Sequence, residues 1–211
     1  MPLNTYIVEG GIGKCVSFSA LIPQLAEKDK EQIQIVTPYI DVFANNPLVK
    51  IVYDQASIPL DDPRIIESDN IIYYEPYKSN FVKGDDHLLK SYSDLLGIQY
   101  DINIAPKLYT DHLTSELDSW LKANKIKKYM LVQFTGGQSP IGWDTNNQYV
   151  STNPDRNYPY YFAQSIINAI KLGYPDITII DITLPNEPGY TDTVKCGLSW
   201  PYLHELLKNS E

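Results

Sequence analysis

The sequence predicts an α/β fold: a Rossmann-like parallel sheet with crossover helices, followed by the incomplete start of a second unit of the same kind. Apolar runs of strand length alternate with stretches of helical periodicity. The first run, Thr5-Tyr6-Ile7-Val8, stops at Gly10-Gly11-Ile12-Gly13 and feeds a helical pattern. A later run, Tyr129 to Phe134, stops at Thr135-Gly136-Gly137 and opens the same order of events again.

The elements follow in order. Val16, Ala20, Leu21 and Leu25 recur at helix spacing after the first glycine turn. Ile33 to Val36 is the next strand, closed by Thr37-Pro38, and Ile40 to Ala44 forms one helical turn before the breaker cluster Asn45-Asn46-Pro47. Val49 to Tyr53 and Asn70 to Tyr74 read as two further strands. A helix over about 85–96 takes Asp85 as N-cap, because its carboxylate accepts an orphan N–H, and Gly97 as the left-handed residue that ends it. Leu113, Leu117, Trp120 and Leu121 mark a helix over about 111–123. Lys122, Lys125, Lys127 and Lys128 follow as a solvated helix end favoured by the macrodipole, rather than a phosphate patch. In the second half, Pro159 opens a helix whose apolar stripe is Phe162, Ile166, Ile167 and Ile170. A strand over 176–182 and a helix over 198–207 complete the chain. Only two strands are expected there, too few to stand alone as a parallel sheet, so a partner or a missing C-terminal segment is expected to complete it. The expected domains are 1–115 and 116–211.

Composition excludes several function classes. The chain has 211 residues, 43% hydrophobic and 20% charged, enough to build a sizeable core. Its formal net charge of −9 argues against nucleic-acid binding and against docking on anionic lipid. No apolar run is long enough to cross a bilayer, and no export signal is visible. Cys15 and Cys196 form neither a metal pattern nor a disulfide framework, which points to a reducing, cytoplasmic setting.

Three motifs offer chemistry. Glu9-Gly10-Gly11-Ile12-Gly13-Lys14 lets the backbone approach a ligand at a helix N-terminus, but it also reads as a plain tight turn feeding a helix. It is not a Walker loop, because Val8 stands at the first glycine position and Cys15 at the Ser/Thr position. Val16 stands where a dinucleotide fingerprint needs its third glycine. Gly136, Gly137, Gln138 and Ser139 occupy the same place in the second unit. Arg156, beside the start of the next helix, is misplaced for helix stability and makes sense facing a bound anion, with a solvated surface role as the alternative. Asp61-Asp62 and Asp85-Asp86 fit turn or capping roles, and His87, His112 and His204 show no ligand spacing.

These residues resemble a known family. Tyr6 to Gly13, the helix ending Leu21-Ile22-Pro23-Gln24-Leu25, Ile33 to Thr37 and Asn46 to Val52 resemble the opening of the ADP-heptose:lipopolysaccharide heptosyltransferases, glycosyltransferase family 9. His87 to Ile98 is similar to a later N-domain helix of that family, and Phe134 to Ser139 with Arg156 to Ala163 to the start of its C-domain. The resemblance implies a GT-B architecture, with the glycan or lipid-linked acceptor held by the N-domain and the nucleotide-diphosphate sugar by the C-domain. It implies inverting transfer without a metal or other cofactor, the leaving diphosphate being stabilised by N–H groups and a basic side chain. Gly10, Gly11, Ile12 and Gly13 would then line the cleft, Gly136, Gly137, Gln138 and Ser139 would lie by the diphosphate, and Arg156 would replace a phosphate-contacting Lys.

Two departures qualify that picture. Lys14 stands where the family commonly has an Asp that serves as base. The base is therefore absent, or supplied by Glu9, or is Lys14 held neutral. The family's Asp-Ser/Thr-Gly-Leu segment would fall beyond residue 211, so this chain alone is expected to be a poor catalyst. A non-catalytic glycan- or nucleotide-binding module is the alternative, and an unrelated Rossmann-like nucleotide enzyme is the weaker third.

Overall fold

The computed structural model describes residues 4–59, 61–66, 71–73, 87–134, 142–143, 149–150, 158–182, 189–196 and 200–209. The chain divides into two compact units, 1–109 and 110–211.

In the first unit the order is β1 (Thr5–Ile7), α1 (Ile12–Ser19), α2 (Ile22–Asp29), β2 (Ile33–Thr37), α3 (Ile40–Phe43), β3 (Val49–Asp54), α4 (Pro63–Ile66), β4 (Ile71–Tyr73) and α5 (Leu88–Leu96). The strands form one parallel sheet in the order β3-β2-β1-β4. The chain moves outward from β1 to β2 to β3 and then returns to the far side of β1. Right-handed crossovers running in opposite directions must lie on opposite faces. The packing shows this. Phe18 of α1 meets Tyr6, Phe43 and Tyr92 with ring centroids 5.9, 6.2 and 5.9 Å away. Ile65 of α4 packs instead with Ile7, Val36 and Ile58. Tyr6 and Ile7 are neighbours on a strand and point to opposite faces. With both faces covered, every residue of β1 and β2 is buried, the polar Thr5, Gln34 and Thr37 included.

The long helical pattern after the first glycine turn is two helices. Pro23 has no N–H to give the carbonyl of Ser19, and its ring crowds that carbonyl. The chain tightens there: Ala20 donates to Ser17 O at 3.2 Å and Leu21 to Phe18 O at 2.9 Å, both three residues back. The N-cap of α5 also differs from expectation. It is His87, whose Nδ1 accepts the Leu89 N–H at 3.2 Å, and the helix begins at Leu88; Asp85 lies outside the described residues. Gly97 closes α5 at φ 61°, as the sequence predicts.

The second unit runs from a 3₁₀ turn (Asp111–Leu113) through α6 (Thr114–Ala123), β5 (Tyr129–Val132), the short β6 (Gly142–Trp143) and β7 (Tyr149–Val150), α7 (Tyr160–Gly173), β8 (Thr178–Asp181), β9 (Thr193–Lys195) and α8 (Trp200–Lys208). Among the described residues its main sheet has three parallel strands, β5-β8-β9, where the sequence suggests two. The third, Thr193-Val194-Lys195, has one apolar residue and leaves no readable period. The antiparallel pair β6–β7 was likewise hidden in the polar loop. Ile179 packs with Ala163 and Ile167 of α7, while Ile180 packs with Leu117, Ile126, Cys196 and Leu206, so this sheet too is covered on both faces. Of the stripe expected on α7, Ile167 is buried and Ile170 partly buried, whereas Phe162 and Ile166 are exposed; Ala163 is buried beside Ile167. Pro159 caps α7 from outside rather than opening it.

A buried carboxylate ties α8 to the start of the unit. Glu205, 1% exposed, accepts from Thr110 Oγ1 at 2.6 Å, Thr114 Oγ1 at 3.1 Å and Lys208 Nζ at 3.1 Å. Lys208 also reaches Asp111 at 2.5 Å. Because the Thr110 hydroxyl donates to Glu205, it accepts at 2.7 Å from His204, which places that proton on Nδ1. Burial pushes the Glu205 carboxyl up, but the three donated hydrogen bonds outweigh it and hold the group below its usual range. Hydrogen bonds to Asp111 and Glu205 raise Lys208.

A depressed carboxyl stabilises above its unfolded value near 4.5 and loses that contribution as pH falls through the lower folded value. Hydrogen-exchange protection of α8 is therefore expected to hold through neutral pH and to drop below about pH 4.5. Glu205→Ala, which strands Thr110 and Thr114, is expected to cost about 1–3 kcal/mol at pH 7, read by denaturant unfolding, and to flatten that acid limb.

Candidate functional site

In open parallel sheets a ligand crevice lies outside the carboxyl ends of the strands, where the strand order reverses. In the first unit that point is between β1 and β4. Glu9, two residues past β1, stands there. Tyr73, the last residue of β4, donates its hydroxyl to Glu9 Oε2 at 2.6 Å. Gln55, the residue after β3, donates its side-chain amide to Glu9 Oε1. The backbone N–H of Gln55 is itself fixed on Thr37 O at the end of β2, at 3.1 Å. The carboxylate thus gathers groups from the ends of β1, β3 and β4. Each of its oxygens accepts one of these bonds, and a carboxylate has about four acceptor positions, so capacity remains for a ligand hydroxyl.

The glycine turn differs residue by residue. Gly10 has φ +96°, a conformation that favours glycine, and it swings the chain from β1 into α1. Lys14 folds back over it: a Cβ at Gly10 would stand 2.9 Å from both Lys14 Cδ and Nζ. Lys14 is 7% exposed, so its side chain covers the turn instead of reaching into solvent. Gly11 caps α1 with an ordinary extended φ of −74° and no side-chain cap. A Cβ added at Gly11 or Gly13 would meet nothing within 4 Å. Both are exposed, so the first turn of α1 presents bare backbone beside Glu9. Ile12, between them, is partly buried. No acidic side chain occupies that first turn.

The remaining residues singled out in the sequence fall elsewhere. Gly136, Gly137, Gln138, Ser139 and Arg156 lie outside the described residues. Cys15 and Cys196 are buried free thiols; burial raises the Cys15 thiol. His87 caps a helix and His204 belongs to the Glu205 clamp. Among the described residues no group of three or more His, Cys, Asp and Glu side chains converges to hold a metal ion, and no helix is long and apolar enough to cross a membrane. A cavity of about 750 Å³ lies at the amino ends of β5 and β8, lined by Lys127, Lys128, Tyr129, Tyr174 and Asp176 among others. It sits at the end of its sheet opposite to the one where parallel strands present ligand loops. Gln55 and Tyr73 escape sequence reasoning. What would have found them is their place directly at strand ends, but that signal acquires meaning only once the strand order is known.

Two substitutions separate the roles of the glycines. Gly10→Ala is expected to cost about 1–2 kcal/mol, because it forces a side chain into the left-handed region. Gly13→Ala is expected to be neutral or to gain about 0.5 kcal/mol from helix propensity. Urea unfolding of the two variants checks both.

No protein-family model and no curated protein matches the chain. Solved structures do. The crystal structure of a glycosyl transferase family 9 protein from Veillonella parvula DSM 2008 aligns over 100% of this chain and 67% of its own, with a TM-score of 0.58 and 10% identity. The bacterial iron-containing dodecameric glycosyltransferase TibC from enterotoxigenic E. coli H10407 aligns over 94% of this chain and 63% of its own, with a TM-score of 0.39 and 13% identity. The first likeness establishes that this chain has the α/β fold, with parallel sheets and crossover helices, of a glycosyl transferase family 9 structure.

Proposed function

We propose that the protein is a glycosyltransferase-like protein of the heptosyltransferase type, which transfers a sugar from a nucleotide-diphosphate donor to a hydroxyl acceptor with inversion and without a metal. The observation that carries this reading is the Glu9 carboxylate, clamped at the carboxyl edge of the first sheet beside the bare backbone of Gly11 and Gly13. Supporting it are the fold likeness and the ordered resemblance of the motifs along the chain. In this reading Glu9 accepts the acceptor hydroxyl's proton while that oxygen attacks the anomeric carbon and the bond to the diphosphate breaks. The charge that develops on the leaving diphosphate is the business of backbone N–H groups and a cation. Gly136, Gly137, Gln138, Ser139 and Arg156 are assigned to it by the resemblance alone. The first unit serves as acceptor side and the second as donor side.

A second reading is favoured by Lys14. The residue standing where the family shows its Asp is a lysine, buried over Gly10. Under that reading the protein is a non-catalytic binding module that keeps the acceptor surface.

Calorimetry and turnover assays with nucleotide-diphosphate sugars and acceptor glycans separate the two. Transfer that falls roughly 10²–10⁴-fold in Glu9→Gln supports a base at this position. Glycan binding without donor binding or turnover supports the module. Gly13→Ala is expected to keep or raise stability while weakening acceptor binding about tenfold, because its methyl occupies the ligand's approach to the backbone. Full acceptor affinity in Gly13→Ala, together with full turnover in Glu9→Gln, would remove the first unit from the site.

A further inference from the structure

The Glu9 carboxylate is held from both sides of β1, and the local fold does not need either hold. Gln55 lies in the turn after β3, yet that turn is already closed by Asp54. Asp54 Oδ1 accepts the Ala56 N–H at 3.0 Å, Oδ2 accepts the Ser57 hydroxyl at 2.8 Å, and the Asp54 carbonyl accepts the Ser57 N–H at 2.9 Å. The Gln55 amide is therefore surplus to the turn and spends its donor on Glu9. Tyr73 is placed by the β1–β4 ladder, in register with Ile7, and its half-exposed ring projects its hydroxyl to the same carboxylate at 2.6 Å. Glutamate has a long side chain with three torsions, and left alone at a strand end it samples several rotamers. Two anchors, one at the end of β4 and one in the turn after β3, remove that freedom. One anchor would leave the carboxylate free to swing about it.

We propose that Gln55 and Tyr73 are positioning residues that hold Glu9 in one rotamer, with its unused lone pairs directed at an acceptor hydroxyl. The proposal rests on the glycosyl-transfer reading for the identity of that hydroxyl, but not for the hold itself. A group that takes a proton in the transition state must already stand within hydrogen-bond reach of it. Tying the carboxylate to groups fixed by β3 and β4 meets that need for a residue that itself lies just past a strand. The alternative is a purely structural staple that fastens β4 to the sheet, which would show as lost stability and not as a loosened Glu9.

The experiment uses the full chain and the variants Tyr73→Phe, Gln55→Ala and the double variant. Side-chain order of Glu9 is read by NMR relaxation on selectively labelled glutamate. In the unsubstituted protein an order parameter of about 0.8 is expected, dropping below about 0.6 in the double variant, with the unfolding midpoint shifted by less than about 2 °C. Where turnover is measured, kcat is expected to fall about tenfold in each single variant with KM within twofold. A Glu9 that is equally mobile in all four proteins overturns the proposal, as does a large loss of stability with Glu9 order unchanged. Failure of the glycosyl-transfer reading looks different: Glu9→Gln retains full turnover, or no donor is used at all, while the relaxation result stands by itself.

Discussion

The reversal of strand order around β1 is the constraint on which the first unit depends. Because β2 and β3 lie to one side and β4 to the other, the connecting helices must change face. That change puts Phe18 against Tyr6 on one face and Ile65 against Ile7 on the other. It leaves the carboxyl end of β1 as the place where no crossover covers the sheet. The chain leaves that place through Gly10, whose left-handed backbone lets α1 begin at once. Glu9 is held there by what the neighbouring strands end in. The site is thus a by-product of topology furnished with a carboxylate, an amide, a phenol and two glycines that the backbone does not require.

The alternation of apolar runs and helical periods made the α/β class legible, and most of the elements with it. Boundaries failed where a local rule met a competing one. Pro23 split a helix that periodicity joins, because a missing N–H outweighs an apolar stripe. His87 replaced Asp85 as the cap of α5 since an imidazole nitrogen can accept where a carboxylate was expected. Thr193-Val194-Lys195 entered the second sheet on backbone pairing alone, which composition does not reveal. On α7, Phe162 and Ile166 look like core by type, yet the face turned to Ile179 is that of Ala163 and Ile167.

The candidate site was half legible. Glu9 to Lys14 stand out because glycines cluster after a strand. Nothing local marks Gln55 or Tyr73, which are 46 and 64 residues from Glu9 and become its neighbours only through the sheet order. The same holds for the Glu205 clamp, whose partners Thr110 and Thr114 lie more than 90 residues away in sequence. Both clusters show one physical habit of this chain: a carboxylate collects side-chain donors from segments distant in sequence. They differ in exposure, and that decides their use. Glu205 is sealed and serves cohesion, whereas Glu9 remains partly open beside exposed backbone.

On the proposed reading the carboxyl edge of the first sheet receives a hydroxyl-bearing ligand. Amide chemical-shift mapping of the labelled chain during titration with acceptor glycans tests it most directly. Saturable shifts confined to Gly10 through Lys14 together with Gln55 and Tyr73 are expected. Saturable shifts gathered instead around Lys127, Lys128 and Tyr174, with the residues beside Glu9 unmoved, would contradict it.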